Sequence, residues 1–169
     1  MHMLRPLLAC GALIAFGSGY ALQDDASSLN PQLAVILPPD SARSLVKQCT
    51  RVVPSHIEGA WQPTTAQVAA FETALAPVLQ LGLRRSTRAS ARGFSVRDYY
   101  QQYGGLVVDG KQIIYVNAFH AGFLHYLEPD TASWHRSAVN VCDGAEWFFG
   151  AEYDVGSGRV RNLHFNGHA

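Results

Sequence analysis

The chain of 169 residues carries no surplus of charge: 13 Lys or Arg stand against 13 Asp or Glu. A nucleic-acid binder normally gathers a basic excess on one face. Arginine far outnumbers lysine, but its excess is local, so nucleic acid is not an expected partner. Phosphate-binding signatures are also missing. Gly104-Gly105 and Gly156-Ser-Gly158 stand outside any Gly-x-Gly-x-x-Gly or Gly-Lys-Ser/Thr context, and turn formation or close backbone approach explains them. No His-Glu-x-x-His occurs, nor a His-x-x-x-His pair on a predicted helix. No cofactor is expected.

Long apolar runs are scarce too. The stretch Leu7 to Phe16, preceded by Arg5 and followed by Gly19 and Ala21, has the layout of a secretory signal peptide cleaved after Ala21. It is about half of the roughly 20 residues that span a bilayer, so no stable transmembrane insertion is predicted. Leu7-Leu8-Ala9-Cys10 also reads as a lipoprotein box, which makes a lipid anchor through Cys10 the minor alternative to a periplasmic or secreted chain. Cleavage removes Arg5 and no acid, and leaves 12 basic against 13 acidic residues. Residues 41–169 are enough for a single domain.

Cysteine is rare, with Cys10, Cys49 and Cys142 only. Two remain after cleavage, and an even count in an oxidising compartment predicts a Cys49–Cys142 disulfide. A catalytic Cys142 would need a base among His120, His125, His135 or His164, and would leave Cys49 unexplained.

What is present is a change of period along the chain. Residues 22–40 combine a polar, partly disordered start with the apolar Leu33 to Leu37, which can pin an extended segment to the body. Ser41 to Cys49 reads as a helical turn that buries Leu45 and Val46. Thr64 and Gln67 have capping-box spacing, and Val68, Phe71, Leu75 and Leu79 form a helical stripe, so a helix runs from Thr64 to about Gln80. Pro77 should kink or end it. Arg84 to Gly93 reads as a solvated linker or, through Arg84, Arg85 and Arg88, as a contact surface for an acidic protein, a phosphate or an anionic membrane.

From residue 94 the period changes from helical to strand-like. Asp109-Gly110 joins two strand-forming runs as a hairpin, with Ile113, Tyr115, Asn117 and Phe119 facing one way and Ile114, Val116 and Ala118 the other. Further strands are read at 134–142, 146–153 and 159–165. The predicted fold class is α+β, with one main helix packed on an antiparallel meander of about five strands.

Tyr99, Tyr103, Tyr115, Trp147, Phe148 and Phe149 are the candidate binding aromatics, with core packing as the alternative for each. Both faces of the strand at 146–153 carry apolar groups, and the helix covers one. The N-terminal segment, a partner or a second copy must cover the other. His120 and His125 are the best available metal ligands, although no metal is expected. Asp109, Asp143 and Asp154 sit at turns, while Glu146 and Glu152 lie too far apart along a strand to work as an acid and base pair.

Tyr99-Tyr-Gln-Gln-Tyr103, Ile114-Tyr-Val-Asn117, Val141-Cys-Asp-Gly144, Phe148-Phe-Gly-Ala-Glu-Tyr-Asp154 and Leu163-His-Phe-Asn-Gly167 together resemble segments of uncharacterised exported proteins of Gram-negative bacteria. The order of helix then sheet is similar to cystatin-like and NTF2-like domains, an analogy of fold alone. The leading expectation is a periplasmic binding or interaction protein with an envelope protein as partner, serving as inhibitor or protector of an enzyme. A small hydrolase or metal-dependent enzyme around His120, His135 and Asp143 is the alternative. A self-assembling envelope component, at least a weak homo-oligomer, is the third.

Overall fold

The computed structural model describes residues 31–126 and 133–168. The expected signal peptide, Cys10 and the polar start at 22–30 lie outside them. The fold is α+β, with three helices among the described residues. Its elements are β1 (Ala34–Ile36), α1 (Pro39–Ala42), β2 (Ile57–Trp61), α2 (Thr65–Arg85), α3 (Thr87–Arg92), β3 (Tyr99–Val108), β4 (Lys111–His120), β5 (Phe148–Asp154) and β6 (Arg159–Phe165).

The sheet is mixed and six-stranded. β3, β4, β5 and β6 form the antiparallel meander that the alternation predicts. Asp109 and Gly110 both take positive φ, 48° and 72°, at the β3–β4 turn. The free edge of β3 is shared by two short strands. β1 pairs in parallel with Gln101 to Tyr103, and β2 pairs antiparallel with Gly105 to Val108.

The strand expected at 134–142 does not form. Its start is a 3₁₀ turn, Ser133–His135, and the remainder crosses the sheet without joining it. The reason lies in what it must cover. Val139 gives its N–H to the Gln102 amide oxygen, and its carbonyl accepts from Asn117. Its backbone thus bonds to side chains that rise from the sheet, where a strand would bond to a neighbouring strand.

α2 begins as the sequence indicates. The Thr64 hydroxyl accepts the Gln67 N–H at 3.2 Å, and the Thr64 N–H donates to the Gln67 side chain at 2.9 Å. The helix does not stop near Pro77 but continues to Arg85. Pro77 is on the solvent side, where the carbonyl it leaves unpaired meets water, and Leu79 and Leu83 hold the next turns in the core. The expected linker after α2 is instead α3, capped by the Ser86 hydroxyl on the Ala89 N–H.

One face of the sheet meets α2. Phe71, Leu75 and Leu79 pack on Tyr99, Tyr103, Ile114, Val116, Phe149 and Ala151, and Phe71 stacks on Tyr153 at 5.1 Å. The opposite face is covered in part by the chain's own N-terminal segment, one of the three covers foreseen, and over β5 chiefly by Phe123, Trp134, Val139 and Val141, which were not foreseen as cover. Leu37, Ala42 and Leu45 pack on Leu106 and Tyr115. Trp134 closes the rest over Phe119 and Phe148. Leu45 is fully buried and Val46 partly so.

The disulfide Cys49–Cys142 is present, with Cα atoms 4.7 Å apart. It ties the end of the N-terminal cover to the crossing segment, and it is consistent with an oxidising compartment.

Candidate functional site

Three places gather chemical groups, and their geometry separates structural from binding roles. The first is the buried guanidinium of Arg51, just after Cys49 in the chain. Its Nε donates to the Tyr115 hydroxyl at 3.1 Å, Nη1 to Asn166 Oδ1 at 3.0 Å, and Nη2 to Asn117 Oδ1. Asn117 in turn donates to Gln102 and to the Val139 carbonyl. Burial lowers the Arg51 pKa, and the Tyr115 hydroxyl offsets part of that. With each of its three nitrogens bonded to a side chain of the fold itself, the buried guanidinium works as a clamp between Tyr115, Asn117 and Asn166.

The second is His120. Its Nδ1 accepts the Gly122 N–H at 3.1 Å, so in the neutral ring the proton sits on Nε2, which points toward Asp98 Oδ2 at 3.7 Å. The ring stacks on Phe94 at 4.0 Å and meets Tyr99 and Trp147 edge-on. Burial lowers its pKa and outweighs the opposing pull of Asp98. Nδ1 is held by backbone, whereas Nε2 is buried and lies beyond hydrogen-bond distance of Asp98 and of every other described side chain. Among the described residues no group of three or more His, Cys, Asp or Glu can hold a metal ion.

The remaining titratable candidates are dispersed. His135 stacks on Trp134, His164 sits on β6 opposite Gly150, and His168 lies against Arg88. His125 falls on the turn Ala121–Tyr126, and its side chain is outside what the structure describes. Glu152 points to the second face, where it accepts from Asn162. Glu146 is not on a strand at all. It lies on the 3₁₀ turn Ala145–Trp147 and accepts from the Ser86 hydroxyl. Burial there opposes ionisation, but Ser86, the residue's own backbone, His168 and Arg88 outweigh it and hold the carboxyl below its ordinary value.

The third place is a cleft of 770 Å³ beside the end of β5. Phe94, Phe123, Tyr126, Val141, Trp147 and Phe148 line it, together with Gly144, Arg92 and Asp143. Its construction is local. After α3 the chain turns back, and the Phe94 N–H donates to the Ala89 carbonyl, which sets Phe94 edge-on to Trp147 at 5.1 Å. The 3₁₀ turn that carries Trp147 is held by the Tyr99 hydroxyl, which donates to the Glu146 carbonyl at 2.6 Å.

Two glycines make room for the rings. A Cβ on Gly122 would lie 2.8 Å from the Trp147 ring, and one on Gly144 would lie 2.6 Å from the Phe148 ring. Gly144 also has φ 105°, which disfavours any side chain there. The Arg92 guanidinium lies over Trp147 at 5.4 Å, and no carboxylate pairs with it among the described residues. A smaller cavity of 260 Å³ shares Arg92, Gly144 and Trp147 and adds Arg88, Glu146 and His168. Tyr126 is 76% exposed at the mouth.

The six binding aromatics named from the sequence therefore divide. Tyr99, Tyr103, Tyr115 and Phe149 are wholly or almost wholly buried, and contribute packing instead of contact surface. They are also not on one face, since Tyr115 belongs to the side away from α2. Trp147 and Phe148 do line the cleft. Arg84, Arg85 and Arg88 are exposed at the junction of α2 and α3. Phe94, Phe123, Tyr126 and Arg92 were not singled out as ligand contacts. They lie on short irregular segments, and no period of 2 or 3.6 marks such residues as neighbours.

No family model, curated protein or solved structure matches the chain.

Proposed function

We propose that this chain is an exported binding protein of the periplasm whose aromatic cleft takes up an apolar segment of a partner protein in the cell envelope. An inhibitor or protector of an envelope enzyme would work in this way. The observation that carries the reading is the cleft. Five aromatic rings converge on 770 Å³ open to solvent, with Arg92 and Asp143 as its charged lining. Apolar walls with a few polar groups are the usual composition of a recognition site. Tyr, Trp and Arg are also the residue types that dominate binding energy at protein contacts.

The enzyme reading draws less support, because His120 is packed among Phe94, Tyr99 and Trp147 with its Nδ1 held by the Gly122 N–H, and among the described residues no group of three or more His, Cys, Asp or Glu gathers at a possible metal site. The disulfide fits export.

The test places a photo-crosslinking residue at position 126 and irradiates it in the living cell. One adduct of defined mass is expected, with none from a control position at the exposed Ser157 on the β5–β6 turn. The partner so identified, once purified, should bind about tenfold more weakly to Phe123→Ala or Arg92→Ala than to the parent. Equal adducts at both positions, or affinities untouched by these changes, would overturn the proposal.

A further inference from the structure

The outward side of α2 is unusual for a helix that faces water. Ala66, Ala70, Thr73, Pro77, Val78 and Leu81 are exposed, and Val78 and Leu81 are 40% and 49% accessible. Charged groups normally occupy this position on an amphipathic helix. Here the only acid between Thr65 and Arg92 is Glu72, whose carboxylate turns inward to accept from the Tyr103 hydroxyl at 3.2 Å. The next two residues on the outward face, one turn beyond Leu81, are Arg84 and Arg85. Both are exposed, and neither has an ion pair among the described residues. Arg88, on α3, is instead engaged beside His168 and Glu146.

An apolar ridge thus runs directly into a cationic end with no acidic residue between them. α2 is also long and apolar enough to cross a membrane, although its inner side is committed to the core. A surface complementary to this ridge is apolar below and anionic at its boundary. The ridge of a single helix is convex, so a protein partner would need a matching groove, whereas a bilayer conforms to it. We propose that the outer face of α2 docks in the plane of a membrane rich in anionic phospholipid. Val78 and Leu81 then sit among the acyl chains, and Arg84 and Arg85 among the phosphates. This surface is separate from the aromatic cleft, and either assignment can fail without the other.

The experiment is sedimentation of the native protein with two kinds of vesicle, pure phosphatidylcholine and an equal mixture with phosphatidylglycerol. Binding at low salt should be at least about tenfold tighter on the mixture and should weaken as salt rises. Leu81→Gln and the double change Arg84→Gln with Arg85→Gln should each weaken it about fivefold or more, with circular dichroism unchanged. Lys111→Gln, at the start of β4, should bind like the parent. The proposal is overturned by equal affinity for both vesicles, or by variants that bind as the parent does. It is also overturned if phosphate ion competes better than chloride at equal ionic strength, which marks an ion site, or if Leu81→Gln converts a dimer into monomers, which makes this face a contact between copies.

Discussion

The two faces of the sheet are covered in different ways. On one side a single regular element does the work. α2 satisfies its own backbone hydrogen bonds and therefore brings only apolar side chains to the interface, which is continuous from Val68 to Leu83. On the other side the cover is assembled from two irregular segments, and their backbone groups need partners. Gln48, Gln102, Asn117 and Asn166 supply these, Asn166 donating to the carbonyls of both Val141 and Asp143, while Arg51 holds Asn117 and Asn166 in place. Irregular cover thus requires buried amides, and it also requires a covalent tie, because few of its contacts are local in sequence.

This contrast can be broken from either side. The largest effect is expected from Phe71→Ala, which empties a fully buried site on the helix face and should cost about 3–5 kcal/mol in urea unfolding. Replacing Cys49 and Cys142 together by serine should cost about 2–4 kcal/mol. Hydrogen exchange should then accelerate at 34–51 and 133–143 while the centre of α2 keeps its protection. Equal acceleration on both faces would show that the two covers are not independent.

A smaller loss, about 2 kcal/mol, is expected for Arg51→Met. The methionine fills the space but leaves Asn117, Asn166 and Tyr115 without their donor.

Titration sharpens the comparison further. His120 has a folded pKa below the ordinary 6.5, so it contributes stability above that value that is lost as pH falls through 6.5 toward the folded pKa. His120→Phe should flatten this limb of the stability curve, as seen by thermal unfolding at successive pH values. The smallest effect belongs to Glu72, whose half-buried carboxyl is raised by burial and lowered in part by the Tyr103 hydroxyl. Its ionisation therefore opposes folding as pH rises through the raised value. Glu72→Gln should gain on the order of 0.5 kcal/mol at neutral pH, after discounting for solvent screening, and nothing in acid.

The helix face was legible in the sequence, because Thr64 and Gln67 mark a start and Val68, Phe71, Leu75 and Leu79 mark a side. So was the Asp109-Gly110 hairpin, which needs only local backbone geometry. The cysteine pairing followed from counting. The second face was not legible in the same way. Val139 and Val141 alternate with polar residues as a strand would, but the backbone of Val139 is paired by side chains 37 and 22 residues away, and no local signal encodes that. β1 and β2 were hidden for a related reason, since three to five residues are too short to show a period. In the cleft, Trp147 and Phe148 stood out by composition, whereas Phe94, Phe123 and Tyr126 converge only after three separate turns have formed.

The shared edge of β3 has a consequence for pairing between chains. With β1 on one half and β2 on the other, no long row of free amides remains at that border. At the opposite border, β6 carries exposed Arg159 and Arg161, an irregularity in its pairing with β5, and Asn162 at φ 50°. Charge and a broken register are the means by which sheet borders repel further strands. Neither border of the sheet therefore presents the long, regular run of free backbone groups on which a further strand would pair.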